Sequence, residues 1–191
     1  MLYLSTKLTS LPLLSIRSSG RIGTVIGPII NPHNLHLDGF YCQAMHSTSK
    51  LILLDMHIRD LSNHGIIIDD HRDLSEPGDL IRLKPIIDLG FKLVDKPVVS
   101  NKKKIGKVTE YAIDKESLFI QKLYVQPPVW QSINQHSLTF DRNSVIEVTD
   151  TQIVVSGPEV TETQKKTIGV PKIAPNYSAQ GLVRNSFEIR K

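Results

Sequence analysis

Apolar and polar residues alternate along much of the chain, and this alternation predicts β-strands. It is clearest in residues 35–43 (LHLDGFYCQ) and 118–126 (LFIQKLYVQ). A period of two places the apolar side chains on one face of a strand and the polar side chains on the other. Short apolar runs that precede turn residues, at 11–16 and 97–100, predict further strands in hairpins. The pattern therefore predicts a fold of the all-β class, in which antiparallel strands predominate and helices are few and short.

The chain repeats this pattern. Residues 21–41 align without a gap on residues 104–124, at a shift of 83 positions. Farther along the chain, residues 58–68 align on residues 145–155 at a shift of 87. The two pairs of matching segments occur in the same order, and the shift changes only in the connection between them. This is expected of two copies of one fold. We expect a duplication.

Equivalent positions of the two copies are predicted to have equivalent roles. Gly23 and Gly106 interrupt strand patterns, where a glycine marks a bulge or a tight bend of a small barrel. We expect the aligned apolar pairs to be buried: Ile22 with Ile105, Val25 with Val108, and Ile30 with Ile113.

The segments between and after the two copies have different patterns. Ser75 is a candidate helix N-cap, Pro85 should break or restart the helix, and Gly90 can end it. After residue 157 the periodic pattern stops. The predicted organisation is a first barrel at 1–74, a short helical linker at 75–90, a second barrel at 91–157, and a mobile, disordered basic tail at 158–191.

Composition and charge narrow the picture. The chain has 191 residues, of which 40% are hydrophobic and only 6% aromatic, so it can bury a core that is mainly aliphatic. The net charge is +4, and residues 157–191 hold three of these four charges. No apolar run reaches the roughly 18 residues of a membrane-spanning helix, and no signal peptide is evident. We expect a cytoplasmic protein without a transmembrane segment.

Residues that could carry catalysis are few. Cys42 is the only cysteine, which excludes an intramolecular disulfide and a zinc site built on several cysteines. Its place on an alternating strand predicts a buried thiol. The seven histidines show no repeated ligand spacing, and no glycine-rich phosphate loop is present. We expect no enzymatic activity, no metal, no cofactor and no small-molecule substrate.

The repeated Ile-Gly-x-Val motif, at residues 20–25 and 103–108, resembles the PRC-barrel family. The last strand pair of that family resembles residues 58–69 and 142–155 here, and the resemblance covers about residues 3–156. The family includes the cytoplasmic domain of one subunit of the purple bacterial photosynthetic reaction centre and the C-terminal half of a ribosome maturation factor. In both proteins the barrel docks on other macromolecules and has no catalytic role.

The resemblance implies an adaptor that binds a protein or ribonucleoprotein assembly, with contact to rRNA or a ribosomal protein. Ribosome or rRNA maturation is the first expectation. A peripheral partner of a membrane protein complex, as in the reaction centre, is one alternative, and an enzyme with no recognisable site is another.

Seven residues are candidates for binding a partner. Four lysines lie in the first hairpin of the second copy, which could otherwise be a solvated tip. A tryptophan follows two prolines and could instead cap a barrel, and two apolar residues lie in the island at 181–191, which could instead be an unstructured C-terminus. The candidates are Lys102, Lys103, Lys104, Lys107, Trp130, Leu182 and Phe187.

Overall fold

The computed structural model describes residues 1–45, 48–128 and 137–157, and strands dominate them. The prediction of a mainly β fold is confirmed. Numbered along the chain, the strands are β1 (Leu2–Leu4), β2 (Pro12–Ser15), β3 (Gly20–Asn31), β4 (His36–Ala44), β5 (Lys50–Leu54), β6 (Ile58–Ser62), β7 (Gly65–Ile68), β8 (Leu74–Ser75), β9 (Pro97–Ser100), β10 (Lys103–Asp114), β11 (Ile120–Gln126), β12 (Leu138–Asp141), β13 (Val145–Val148) and β14 (Ile153–Val155). The described helices are α1 (Lys84–Leu89) and short 3-10 helices at Ser5–Lys7, Asp55–His57, His71–Asp73, Pro77–Asp79 and Arg142–Ser144.

The strands form two sheets of seven. The first has the order β6-β7-β2-β3-β4-β5-β8, and the second has the order β12-β11-β10-β9-β14-β13, with β1 paired to β10. The pairs β2 with β7 and β9 with β14 are parallel, and the other described pairs are antiparallel. One of the sheets curves into a half-barrel. β1 and β8 lie in segments where the sequence pattern predicts no strand.

The strands β2 to β7 and β9 to β14 are two copies of one arrangement. β3 and β10 are each 12 residues long and cover aligned residues. The register slips between Val25 and Gly27 where β3 pairs with β4, and between Val108 and Glu110 where β10 pairs with β11. These slips fall at aligned positions. The predicted equivalence of residues 21–41 and 104–124 is therefore confirmed in strand pattern and register.

β3 and β10 pass so close to their neighbours that only glycine fits at one aligned position. A Cβ atom at Gly23 would lie 2.5 Å from the backbone oxygen of Gln43, and one at Gly106 would collide with the backbone oxygen of Gln126. The register against the preceding strand also slips beside each glycine. The prediction of a bulge at these glycines is confirmed.

The core is aliphatic and contains side chains from both sheets. Its aligned members behave alike, as the repeat predicts. Two aligned pairs are buried and the third is partly buried and packed against the same cluster: Val25 with Val108, Ile30 with Ile113, and Ile22 with Ile105.

Two reciprocal hydrogen bonds join the sheets. The Leu37 N–H donates to the Leu118 carbonyl at 3.0 Å, and the Ile120 N–H donates to the Leu35 carbonyl at 2.9 Å. Leu35 aligns with Leu118 and Leu37 aligns with Ile120, so each bond is the counterpart of the other. The two copies therefore meet as the subunits of a two-fold symmetric dimer do.

The segment that precedes each copy packs on the other copy. β1 precedes the first copy, yet it pairs with β10 of the second. α1 precedes the second copy, and it packs against β3 of the first. Leu8 and Leu93, which lie four residues before the prolines that begin β2 and β9, are both buried. Each copy therefore contacts the segment that precedes the other copy, and these contacts hold the two copies together.

The connection between the copies differs in detail from the predicted helix. Ser75 caps no helix, because it belongs to β8, and Glu76 stands at the N-cap of the 3-10 helix that follows. α1 begins later because Pro85 fits its first turn, where the missing N–H costs no hydrogen bond. Gly90 ends α1 in the left-handed conformation, with φ 54°, as predicted.

Candidate functional site

The turn between β9 and β10 presents lysines to solvent. Asn101 and Lys102 form a two-residue turn in which both have a positive φ, 49° and 63°. Positive φ at both central residues is typical of the tight type I′ hairpin, whose twist matches that of the strands. Lys102, Lys103, Lys104 and Lys107 are all exposed. We call these four lysines the basic hairpin.

No described carboxylate neutralises the basic hairpin. None of its four lysines forms an ion pair with a described residue. Clustered positive charges create a positive electrostatic potential, which raises the local concentration of anions. The arrangement can therefore attract an anionic surface.

At the corresponding end of the first copy, two arginines form ion pairs with aspartates. Arg17 Nη1 lies 2.8 Å from Asp70 Oδ2, and Arg59 Nε donates to Asp69 Oδ2 at 2.9 Å. The hydrogen bond from Arg59 holds the pKa of Asp69 below its ordinary value. The second copy has a serine and a glycine where the first has these two aspartates. The copies have thus diverged in charge at the same place in the fold.

The positions of three predicted partner-binding residues relative to the basic hairpin are not described. Trp130, Leu182 and Phe187 lie outside the described residues. Their roles stay predictions, as does that of the tail at 158–191.

A cavity of about 700 Å³ lies between α1 and β3. The sequence pattern does not predict it, because periodicity shows which face of an element is buried but not what packs against that face. Most of its lining residues have apolar side chains. These are Pro28, Ile29, Ile30, Tyr41, Pro77, Ile86, Ile87, Phe91, Leu93, Val94 and Tyr111.

Polar groups border the same cavity. The Nζ atom of Lys50 lies 3.6 Å from the centroid of the Tyr41 ring, which is a cation–π contact. Burial raises the pKa of Tyr41, and the charge of Asp88 adds to this effect. Lys92 and Asp95 also line the cavity. The cavity is thus apolar with a charged border, as small-molecule sites commonly are.

Among the described histidines, His36 is the most enclosed by other groups, and it lies at the junction of the copies. His36 Nδ1 lies 2.8 Å from Asp38 Oδ1, and the His36 ring meets the Phe119 ring edge-on at 4.6 Å. These contacts pack the junction. Within residues 1–45, 48–128 and 137–157, no three His, Cys, Asp or Glu side chains are grouped as they would be around a metal ion.

Cys42 is buried, as predicted, with none of its surface exposed. Burial raises the pKa of its thiol to about 12. At neutral pH such a thiol is almost entirely protonated, and the thiolate is the reactive form. The arrangement therefore gives Cys42 the role of a small core residue.

The chain matches no protein-family model, and comparison with curated proteins gives no match. None of the helices in the described part of the chain is long and apolar enough to span a membrane. The features that bear on function are therefore the duplicated β fold, the basic hairpin and the apolar cavity.

Proposed function

We propose that the protein is a non-enzymatic adaptor, built of two tandem barrels of the PRC type, that docks on a ribosomal assembly during ribosome or rRNA maturation. The basic hairpin carries this proposal, because four exposed lysines there lack a carboxylate partner among the described residues. The resemblance of both Ile-Gly-x-Val motifs to the PRC barrel supports it, since the family's uses named above are docking ones. A ribosomal role places the protein in the cytoplasm.

The phosphate backbone of RNA is the partner that suits the basic hairpin best. Each lysine that neutralises a phosphate releases condensed counterions, which favours binding at low salt. A lysine ammonium acts as a compact point charge, and phosphate contacts position a protein without reading sequence. We therefore expect docking that depends on salt and on the shape of the RNA.

The divergence of the two copies supports docking through one of them. The copies share strand order and register, so a requirement of folding alone would act on both hairpins alike. The first copy balances Arg17 and Arg59 with two aspartates, whereas the second copy leaves its lysines unbalanced. We expect the second sheet to face the RNA.

Co-sedimentation of the full chain with small ribosomal subunits and their precursors, over a series of salt concentrations, tests the proposal. The test variant removes three charges from the basic hairpin: Lys102→Gln, Lys103→Gln and Lys104→Gln. A matched control removes three charges from exposed positions elsewhere: Lys7→Gln, Arg82→Gln and Lys84→Gln.

Binding of the wild-type protein should weaken as salt rises. In the test variant, the slope of log K against log salt should fall by about two to three, at roughly 0.7–0.9 for each phosphate that is no longer neutralised. The control should keep a slope near that of the wild type. Equal losses in both variants, or pelleting of the protein with membranes in place of ribosomal particles, would show that the proposal is wrong.

A further inference from the structure

We propose that the cavity between α1 and β3 binds a small amphipathic molecule, an aliphatic chain that ends in a carboxylate. The cavity and the basic hairpin share no residue. This inference therefore stands apart from the docking function proposed above.

The cavity lies where the two copies are covered differently. β1 pairs with β10 through backbone hydrogen bonds, with Tyr3 opposite Ile113. The segment before the second copy forms α1 instead of a strand, and α1 packs against β3. The cavity lies between them.

The wall of the cavity suits an alkyl chain. Branched aliphatic side chains from β3, α1 and the segment after α1 contribute to it. They are Ile29, Ile30, Ile86, Ile87, Leu93 and Val94. The volume, about 700 Å³, lies within the range of roughly 300–1,000 Å³ typical of small-molecule pockets. Each methylene group moved from water into such a space favours binding.

Tyr111 supplies a hydrogen-bond donor from within the wall. The residue is only 3% exposed and lines the cavity, and no described residue hydrogen-bonds to its hydroxyl. An oxygen of a bound ligand can accept a hydrogen bond from this hydroxyl. Burial also raises the pKa of this hydroxyl, so it keeps its proton for donation.

The charges on the wall favour an anionic head group. Lys50 and Lys92 line the cavity, and neither forms an ion pair with a described residue. Asp95 is the one carboxylate among the described lining residues. A carboxylate has two acceptor oxygens, so it can accept from a hydroxyl and from an ammonium at once.

Isothermal titration calorimetry of the full chain tests this inference. The probes are dodecanoate and dodecyltrimethylammonium, both below the concentrations at which they form micelles. They share a chain of equal length and carry opposite charges. We expect one dodecanoate per chain and binding of the cation at least about tenfold weaker, because the wall holds two cations and one anion. Absence of dodecanoate binding, or equal binding of both probes, would overturn the proposal.

Three variants locate the bound molecule. Tyr111→Phe should weaken dodecanoate binding by roughly tenfold or more, the scale of a hydrogen bond to a charged group. Lys92→Gln, at an exposed position, should weaken binding and reduce its salt dependence. Tyr124→Phe removes a hydroxyl outside the cavity and should change nothing.

Circular dichroism should first show that each variant is folded. If Tyr111→Phe does not fold, Lys92→Gln decides the question. Dodecanoate that binds Lys92→Gln with the affinity and salt dependence of the wild type would lie elsewhere on the protein, and the proposal would be wrong.

Discussion

Val25 and Val108 occupy aligned places in the core, with 1% and 0% of their surfaces exposed. Replacing either with alanine removes two buried methyl groups and leaves a small cavity. We expect Val25→Ala and Val108→Ala each to lower the free energy of unfolding by about 1–3 kcal/mol. Urea denaturation of the two variants measures this loss.

Ile146→Ala provides the control for these two valines. Ile146 is an apolar residue of the second sheet, but 68% of its surface is exposed. Its truncation should change the free energy of unfolding by less than about 0.5 kcal/mol. A loss at Val108 as small as the loss at Ile146 would contradict the burial of Val108.

Arg59 controls the protonation of Asp69. Because Arg59 holds the pKa of Asp69 below its ordinary value, Arg59→Gln should raise that pKa. A lowered pKa in the folded state means that the contact stabilises the protein above the ordinary carboxyl pKa, and this contribution is lost as the pH falls through the folded pKa. Both side chains are largely exposed, so the contribution is small.

A pH titration of the carboxyl ¹³C chemical shift of Asp69 measures the change. Arg17→Gln is the matched control, because Arg17 pairs with Asp70 and should leave the titration of Asp69 in place. An Asp69 that titrates alike with and without Arg59 would contradict the pairing.

At the scale of the strands, β10 passes close to the backbone of β11 at Gly106. A Cβ atom there would collide with the backbone oxygen of Gln126, and a backbone carbonyl inside a sheet cannot move without breaking its pairing. We expect Gly106→Ala to lower the free energy of unfolding by about 1–3 kcal/mol. Thermal and urea denaturation measure the effect.

Gly78→Ala is the control for this prediction. No atom lies within 4 Å of a Cβ at Gly78. Alanine there should be neutral or stabilise by up to about 1 kcal/mol, since it reduces the entropy of the unfolded chain. Equal effects at both glycines would mean that the collision at Gly106 does not occur.

Turn geometry also belongs to the scale of elements, and here part of the site was predictable. The polar run at 101–104 predicts a hairpin with lysines at its tip, and the structure has that hairpin. The charge contrast with the first copy was not predictable, because the pairing of Arg17 with Asp70 joins residues far apart in sequence.

For the whole molecule, the exchange of β1 and α1 predicts that the two copies unfold together. The core contains side chains from both sheets, and the backbone bonds between Leu37 and Leu118 and between Ile120 and Leu35 join them. We expect a single thermal transition. Val25→Ala and Val108→Ala should each lower its midpoint by about 2–4 °C for every kcal/mol of stability removed.

Differential scanning calorimetry and far-UV circular dichroism measure this cooperativity. Agreement between calorimetric and van't Hoff enthalpies would support one unit. Two transitions, of which Val25→Ala moves one and Val108→Ala moves the other, would contradict the coupling of the copies.

Local pattern in the sequence was sufficient for the strands other than β1 and β8, for the repeat and for the bulge glycines. Alternation with period two states which side chains share a face, and aligned residues at a constant shift state that two segments fold alike. Gly90 was also predictable as the end of a helix, because the left-handed conformation there favours glycine.

Tertiary structure alone decided which surfaces meet. β1 lies on β10, α1 lies on β3, and the cavity lies between α1 and β3, all through contacts between residues distant in sequence. A hydrophobic pattern identifies a face that is buried in the folded protein. The hydrophobic effect is not directional, however, so the pattern does not specify which other face packs against it. The shape of the packed chain selects the partner face, and with it the site that the sequence does not reveal.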